Sequence, residues 1–224
     1  MEVQHGWAFK GEHAGPERSG LPRLIRIGNF AGARGDRFRP EQPEGYKGPY
    51  PDRFELSAGD LLVAMTCQTS DGSILGWPMR VPDNGVVYLH NQRIGKVVVT
   101  DHSAVTLDYL EYLFRTDELN DSLYRSASGS KILHTAPSRI AEVEHDFPDL
   151  HEQRRIAEVL GALDDLIDTN EQLQSELDEL ARATFLRTWD GESWTTVADL
   201  GEVIMGQSPP GDTYSDTPVG VPFH

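Results

Sequence analysis

The chain has 224 residues, enough for one substantial globular domain and an elongated element, and its formal net charge of −16 excludes a uniformly basic surface. Its single cysteine, Cys67, excludes an intrachain disulfide and a cysteine zinc cluster, and suits a reducing cytoplasm. No stretch approaches the roughly 18 apolar residues of a membrane span and the N-terminus does not read as a signal peptide, so the expectation is a soluble cytoplasmic protein with no membrane partner.

In chain order, Leu21 to Phe30 reads as a strand, and Gly35 to Arg53 as a loop dense in Pro, Gly, Tyr and Arg. Phe54 to Thr66 alternates into a core of Leu61, Leu62 and Val63, with Leu24 and Ile27 also expected inside. Asn84-Gly85 predicts a tight hairpin turn, because that dipeptide supplies the positive φ such turns require. Gly95 to Thr100 is a further β-branched run, and a helix is expected from about Leu107 to Ser126. These elements predict an α+β domain of short β-strands with a few helices, ending near Asp146.

The strongest signal is the run from Phe147 to Thr188. Apolar positions step by three and four residues in alternation through Ile156, Val159, Leu163, Leu166, Asn170, Leu173, Leu177, Leu180 and Thr184, a coiled-coil seam with one polar register residue. Asp149 is placed to accept from first-turn amides with Glu152 at the third helical position, and Gly191 is a stop. Only Gly161 interrupts Leu150 to Thr188, so at about 1.5 Å per residue the rod is on the order of 58 Å long. A core helix of a globular domain fits less well, since the other faces carry Glu152, Arg155, Asp164, Asp165, Asp168, Glu171, Glu176, Asp178 and Glu179.

The negative charge is unevenly spread. Residues 1–100 hold 12 Lys and Arg against 11 Asp and Glu, whereas residues 151–224 hold 4 against 15. Within residues 18–53 there are 8 cations against 4 acids, a local patch compatible with phosphate contact of modest affinity. No catalytic motif accompanies it. The only Gly-Lys pair, Gly95-Lys96, runs on to Val97 and makes no Walker loop; Ser208-Pro209-Pro210-Gly211 lacks the amide and the ring of an adenine-methyltransferase box; no lysine has an acid two residues before it, as a common restriction nuclease needs. His145 and His151 have no third ligand nearby, and Cys67 has no identifiable base, so neither a metal nor a cofactor is expected. The loop after Cys67 offers Gln68, whose amide suits adenine N6 and N7, and Ser70.

Leu150, Glu152, Gln153, Ile156, Ala157, Leu160, Leu163, Asp164 and Ile167 match the pattern L-x-E-Q-x-x-I-A-x-x-L-x-x-L-D-x-x-I, which resembles the conserved region of type I restriction-modification specificity subunits. Gly6-Trp7-Ala8-Phe9-Lys10, Leu24 to Asn29 and Gly59 to Val63 look like early blocks of their target recognition domain. Leu89-His90-Asn91-Gln92 and Ser128-Gly129-Ser130-Lys131 look like later ones. The resemblance implies a non-catalytic subunit, or half of one, that reads double-stranded DNA while modification subunits methylate adenine and a restriction subunit, if recruited, translocates and cleaves. It implies a recognition domain at residues 1–146, a spacer helix at 147–190, and at 191–224 the opening of a second recognition domain, from Trp194 to Val221-Pro222-Phe223-His224. The N-terminus lacks the equivalent opening, so the content of one repeat stands in permuted order. Candidate DNA contacts are Arg26, Asn29, Arg34, Arg37, Arg39, Lys47, Arg53, Gln68, Ser70, Arg93 and Lys131. The seam from Ile156 to Leu180 predicts a partner helix, most simply that of a second copy. The alternatives are a nonproductive fragment of a longer gene and a coiled-coil interaction protein that reads no DNA.

Overall fold

The computed structural model describes residues 1–30, 43–188, 195–196, 199, 201–202 and 204, and divides the chain into two compact units, Met1–Ile167 and Asp168–His224. The first unit is α+β. Its strands are β1 (Glu2–His5), β2 (Ala14–Gly15), β3 (Arg23–Leu24), β4 (Glu44–Tyr46), β5 (Glu55–Leu56), β6 (Leu61–Ala64), β7 (Thr66–Cys67), β8 (Pro78–Arg80), β9 (Tyr88–Leu89), β10 (Ile94–Val98) and β11 (Leu133–His134). Its helices are α1 (Leu107–Leu113), α2 (Asp117–Ser126), α3 (Pro137–Ala141) and the start of α4 (Leu150–Thr188), which continues into the second unit.

One sheet runs in the order β1-β10-β6-β8, a second in the order β2-β4-β3-β9-β5, and β11 pairs with β7 alone. Strand β6 lies between two cores, and its period-two alternation serves both: Leu61 and Val63 join the cluster with Leu110, Phe114, Leu123 and Ile140 of the helices. Leu62 and Ala64 join the cluster with Ile25, Ile27, Tyr88 and Ile94. Each fully buried leucine contributes about 1.5–3 kcal/mol relative to exposure. Leu24, Ile27, Leu61 and Leu62 are buried as expected.

Three local expectations are corrected. The run from Leu21 to Phe30 is a strand only at Arg23–Leu24; beyond it the Asn29 side chain accepts the Arg26 amide at 2.7 Å and the chain turns through a short 3-10 helix. Asn84-Gly85 makes no tight hairpin, because β8 pairs with β6 while β9 pairs with β3 and β5. Of the two residues only Gly85 has positive φ, and Asn84 instead donates to the Tyr88 hydroxyl at 3.1 Å. The helix expected from Leu107 to Ser126 is two helices, broken where the Thr116 hydroxyl donates to the Leu113 carbonyl at 2.8 Å and accepts the Leu119 amide at 3.4 Å.

Helix α4 begins and ends where its capping and periodicity place it, and Asp149 Oδ1 accepts the Glu152 amide at 2.9 Å. In the second unit every described residue of α4 is exposed, and further on Thr196 and Asp199 cap one another through side chain and backbone at 3.1 and 3.3 Å. Gly191, the expected helix stop, lies outside the described residues, as do Trp194 and most of the segment 191–224.

Candidate nucleic-acid interface

The ladder of β7 with β11 brings together loops far apart in sequence. Cys67 is paired with Leu133 and both are buried, and the chain bends where each strand leaves the ladder: Gln68 is exposed, and Ile132 is 46% exposed. Within the ladder the buried Thr66 hydroxyl hydrogen-bonds with His134 Nδ1 at 3.0 Å. The Cys67 thiol is packed 3.1 Å from the Thr69 hydroxyl, as expected of a structural cysteine.

Both loops are tied down. In the first, Asn120 donates to the carbonyls of Gly72 at 3.1 Å and Leu75 at 2.8 Å, and the Tyr124 hydroxyl donates to the Ser70 carbonyl at 3.4 Å. The Asp71 carboxylate accepts the Thr69 hydroxyl and the Ser73 amide, and these bonds, the hydroxyl foremost, hold its pKa below the usual carboxylate value. In the second, Ser128 and His134 exchange backbone hydrogen bonds at 2.9 and 2.8 Å. Gly129 has φ +106°, and a Cβ there would lie 2.0 Å from the Ile132 carbonyl oxygen, so only glycine fits. The result is a fixed rim bearing Gln68, Ser70, Lys131 and Ile132.

Arg93 lies beside the start of β7, its carbonyl accepting the Met65 amide at 3.0 Å. Arg53 stacks 4.9 Å over Phe54, whose ring is 5.3 Å from that of Trp7; Trp7 is fixed by backbone bonds to His90 and Gln92. Arg53, Arg93 and Lys131 are exposed and join no ion pair among the described residues. The remaining candidates are placed differently. Arg26 pairs with Glu44 at 2.8 Å and Lys47 with Glu17. Asn29 is 5% exposed, and its side-chain oxygen is engaged in the turn already described. Arg34, Arg37 and Arg39 lie outside the described residues. Sequence reasoning missed Ile132, which stands beside a long-range strand pairing with no local signal, and Tyr124 of α2, expected on the apolar side of its helix but 45% exposed.

Helix α4 carries two faces. One docks on the recognition body: Gln153, fully buried, accepts the Thr106 amide at 3.0 Å and donates to the carbonyls of Ala104 at 2.9 Å and Pro148 at 2.8 Å. About three turns on, Asp164 accepts from Arg115 at 2.8 Å and the Tyr112 hydroxyl at 3.1 Å. Burial, then the Asp164 charge, pushes the Tyr112 hydroxyl up to about 12. Arg115 also meets Glu111, which pairs with Arg80 of β8, so the ion network runs from sheet to helix. The other face is the seam. Ile156 is half-buried against the core, whereas Val159, Leu163, Leu166, Leu173, Leu177 and Leu180 are all more than half exposed. With Ile156 as an a position, the flanking e and g positions from Leu160 to Ala183 carry one charge, Glu176, and the other acids fall on b, c and f.

Among the described residues there is no group of three His, Cys, Asp or Glu able to hold a metal ion, and no helix long and apolar enough to cross a membrane.

A mixed domain of short strands mounted on the start of a long helix, with an apolar seam running free along that helix, defines the class of fold. Residues 56–179 match the family described as the type I restriction modification DNA specificity domain. The chain is similar to two type I restriction enzyme specificity subunits of Methanocaldococcus jannaschii. It is 33% identical to the MjaIX subunit over 99 residues, 44% of this chain and 22% of that protein. It is 22% identical to the MjaVIII subunit over 138 residues, 61% of this chain and 31% of that protein. It therefore spans less than a third of the length of these curated relatives. Among solved structures, the S subunit of a type I system from M. genitalium aligns with a TM-score of 0.51 at 17% identity, covering 78% of this chain and 41% of that one. A chain from a structure addressing assembly and conformational transition of the type I system aligns at 0.50 and 17%, covering 81% and 40%. The chain belongs to the type I restriction-modification DNA specificity family.

Proposed function

We propose that this chain is a DNA-reading subunit, or half-subunit, of a type I restriction-modification system, in which residues 1–146 read one half of a bipartite target and residues 147–190 set the distance to the other half. It performs recognition alone: separate modification subunits bind the methyl donor and methylate adenine, and a restriction subunit, when recruited, cleaves. The observation that carries this is the fixed rim of Gln68, Ser70 and Lys131, an amide, a hydroxyl and an unpaired cation held outward on a body anchored to α4.

The second half of the reading is a second copy. Leaving Leu163, Leu166, Leu173, Leu177 and Leu180 wet forfeits about 1.5–3 kcal/mol each, and the nearly uncharged flanks put no like-charge repulsion between two such helices. An antiparallel pair matches Leu163 with Leu180 and Leu166 with Leu177; a parallel pair sets Asn170 against itself. With two identical reading heads on paired helices, such a dimer reads a palindromic bipartite site. The test is binding of duplex DNA by the chain alone and with a modification subunit of its system. Weak binding alone and salt-sensitive, sequence-selective binding in company support the reading; no selectivity in either case refutes it.

A further inference from the structure

Ile132 is a large apolar side chain at the tip of a loop that has no freedom to hide it. It joins none of the three apolar clusters formed by the described residues. Single exposed hydrophobics are common on protein surfaces, but this one is held outward by three independent devices. These are the buried Leu133–Cys67 pair behind it, the Ser128–His134 backbone exchange around it, and Gly129, whose missing Cβ lets the turn close on the Ile132 carbonyl. The ladder ends at Leu133–Cys67, and the next residue outward on each strand is Ile132 on one and Gln68 on the other. An exposed primary amide and an exposed branched aliphatic therefore leave the ladder at the same end, one from each strand.

That pairing has one natural complement in duplex DNA. In the major groove an A·T pair presents adenine N7 and N6, which a glutamine amide meets with two hydrogen bonds, and the thymine methyl, which only an apolar contact rewards. The groove, about 12 Å wide, admits a two-stranded β element. We propose that the rim enters the major groove and reads A·T, Gln68 on the adenine edge and Ile132 against the thymine methyl of the same or the adjacent pair, with Lys131 on the phosphates. The inference rests on the DNA-reading function proposed above and adds which bases the rim selects.

The test is sequencing of methylated adenines in cells carrying this chain and its modification subunit, with four variants. Gln68→Ala and Ile132→Asn are each expected to relax an A·T position of the motif, the same or adjacent one, losing about tenfold preference there while the rest of the motif stands. Ile132→Val retains the wild-type motif, which separates a methyl contact from damage to the loop. Lys131→Ala lowers occupancy at every site without altering the motif. A motif unchanged by both Gln68→Ala and Ile132→Asn, or relaxed at a G·C position, overturns this inference and leaves the reading function standing. A wild-type chain that directs no motif overturns both.

Discussion

His90 shows what a single side chain contributes when burial controls its charge. Desolvation is the main cause that drives its pKa from 6.5 down to about 4, and its Nε2 is 2.8 Å from the Ile94 carbonyl, to which a neutral ring donates. The unfolded chain takes up a proton near pH 6.5 that the folded ring refuses until about pH 4. The stability contributed by the neutral ring is therefore complete above pH 6.5 and is lost progressively as pH falls toward 4. At about 1.4 kcal/mol per pH unit the loss is on the order of 3 kcal/mol. Urea melts between pH 4 and 7 should show this slope, and His90→Gln, which keeps a donor and loses the titration, should flatten it. Asp71, Asp101 and Asp149, with pKa values lowered chiefly by hydrogen bonds, act in a separate window: their stabilisation is present above the ordinary carboxylate pKa and is lost only below it. Gly129→Ala belongs to the same scale; with φ +106° and a carbonyl oxygen 2.0 Å from the new Cβ it should lower the melting temperature and release the loop bearing Ile132.

At the level of elements, α4 separates two stripes that hydrophobic periodicity alone does not. The cap at Asp149, the three-four stepping and the uninterrupted run make the existence and span of this helix legible from residues 147 to 188, because all three signals are local. The seam residues were legible for the same reason. The docking stripe was not: Gln153 and Asp164 are polar, and their partners Thr106, Ala104, Tyr112 and Arg115 lie about 50 residues away in sequence. The rim was legible only in part, since Gln68 and Ser70 stand in a turn after an evident strand, whereas Thr66 and His134 meet across 68 residues. The two-sheet arrangement was hidden by the same kind of long-range pairing. One contrast tests the division of α4. Gln153→Ala removes three part-buried hydrogen bonds, to the Thr106 amide and the Ala104 and Pro148 carbonyls, at a cost of about 0.5–1.5 kcal/mol each. Leu173→Ala, at a residue 52% exposed, should leave the melting of the monomer unchanged and weaken self-association instead. Equal destabilisation of the dilute monomer by both would contradict the two-face account.

For the whole molecule, the charge distribution and the seam point the same way. A net charge of −16 opposes approach to a polyanion, so measurable DNA affinity calls for a partner that shares the contact. Replacing Arg34, Arg37 and Arg39 together by Ala should flatten the salt dependence of binding; these residues lie outside the described structure, so the experiment alone decides their role. Sedimentation at micromolar concentration should find a dimer. Inserting four residues near Ser175 lengthens a helix by about 6 Å and should add spacer base pairs between unchanged half-sequences.

The most direct measurement maps methylated adenines in a genome where this chain is the sole specificity protein beside a modification subunit. The account predicts one recurrent bipartite motif whose two halves are inverted copies of the same sequence, as a pair of identical reading heads on paired helices requires. No recurrent motif, or a motif that persists when the chain is absent, would contradict it.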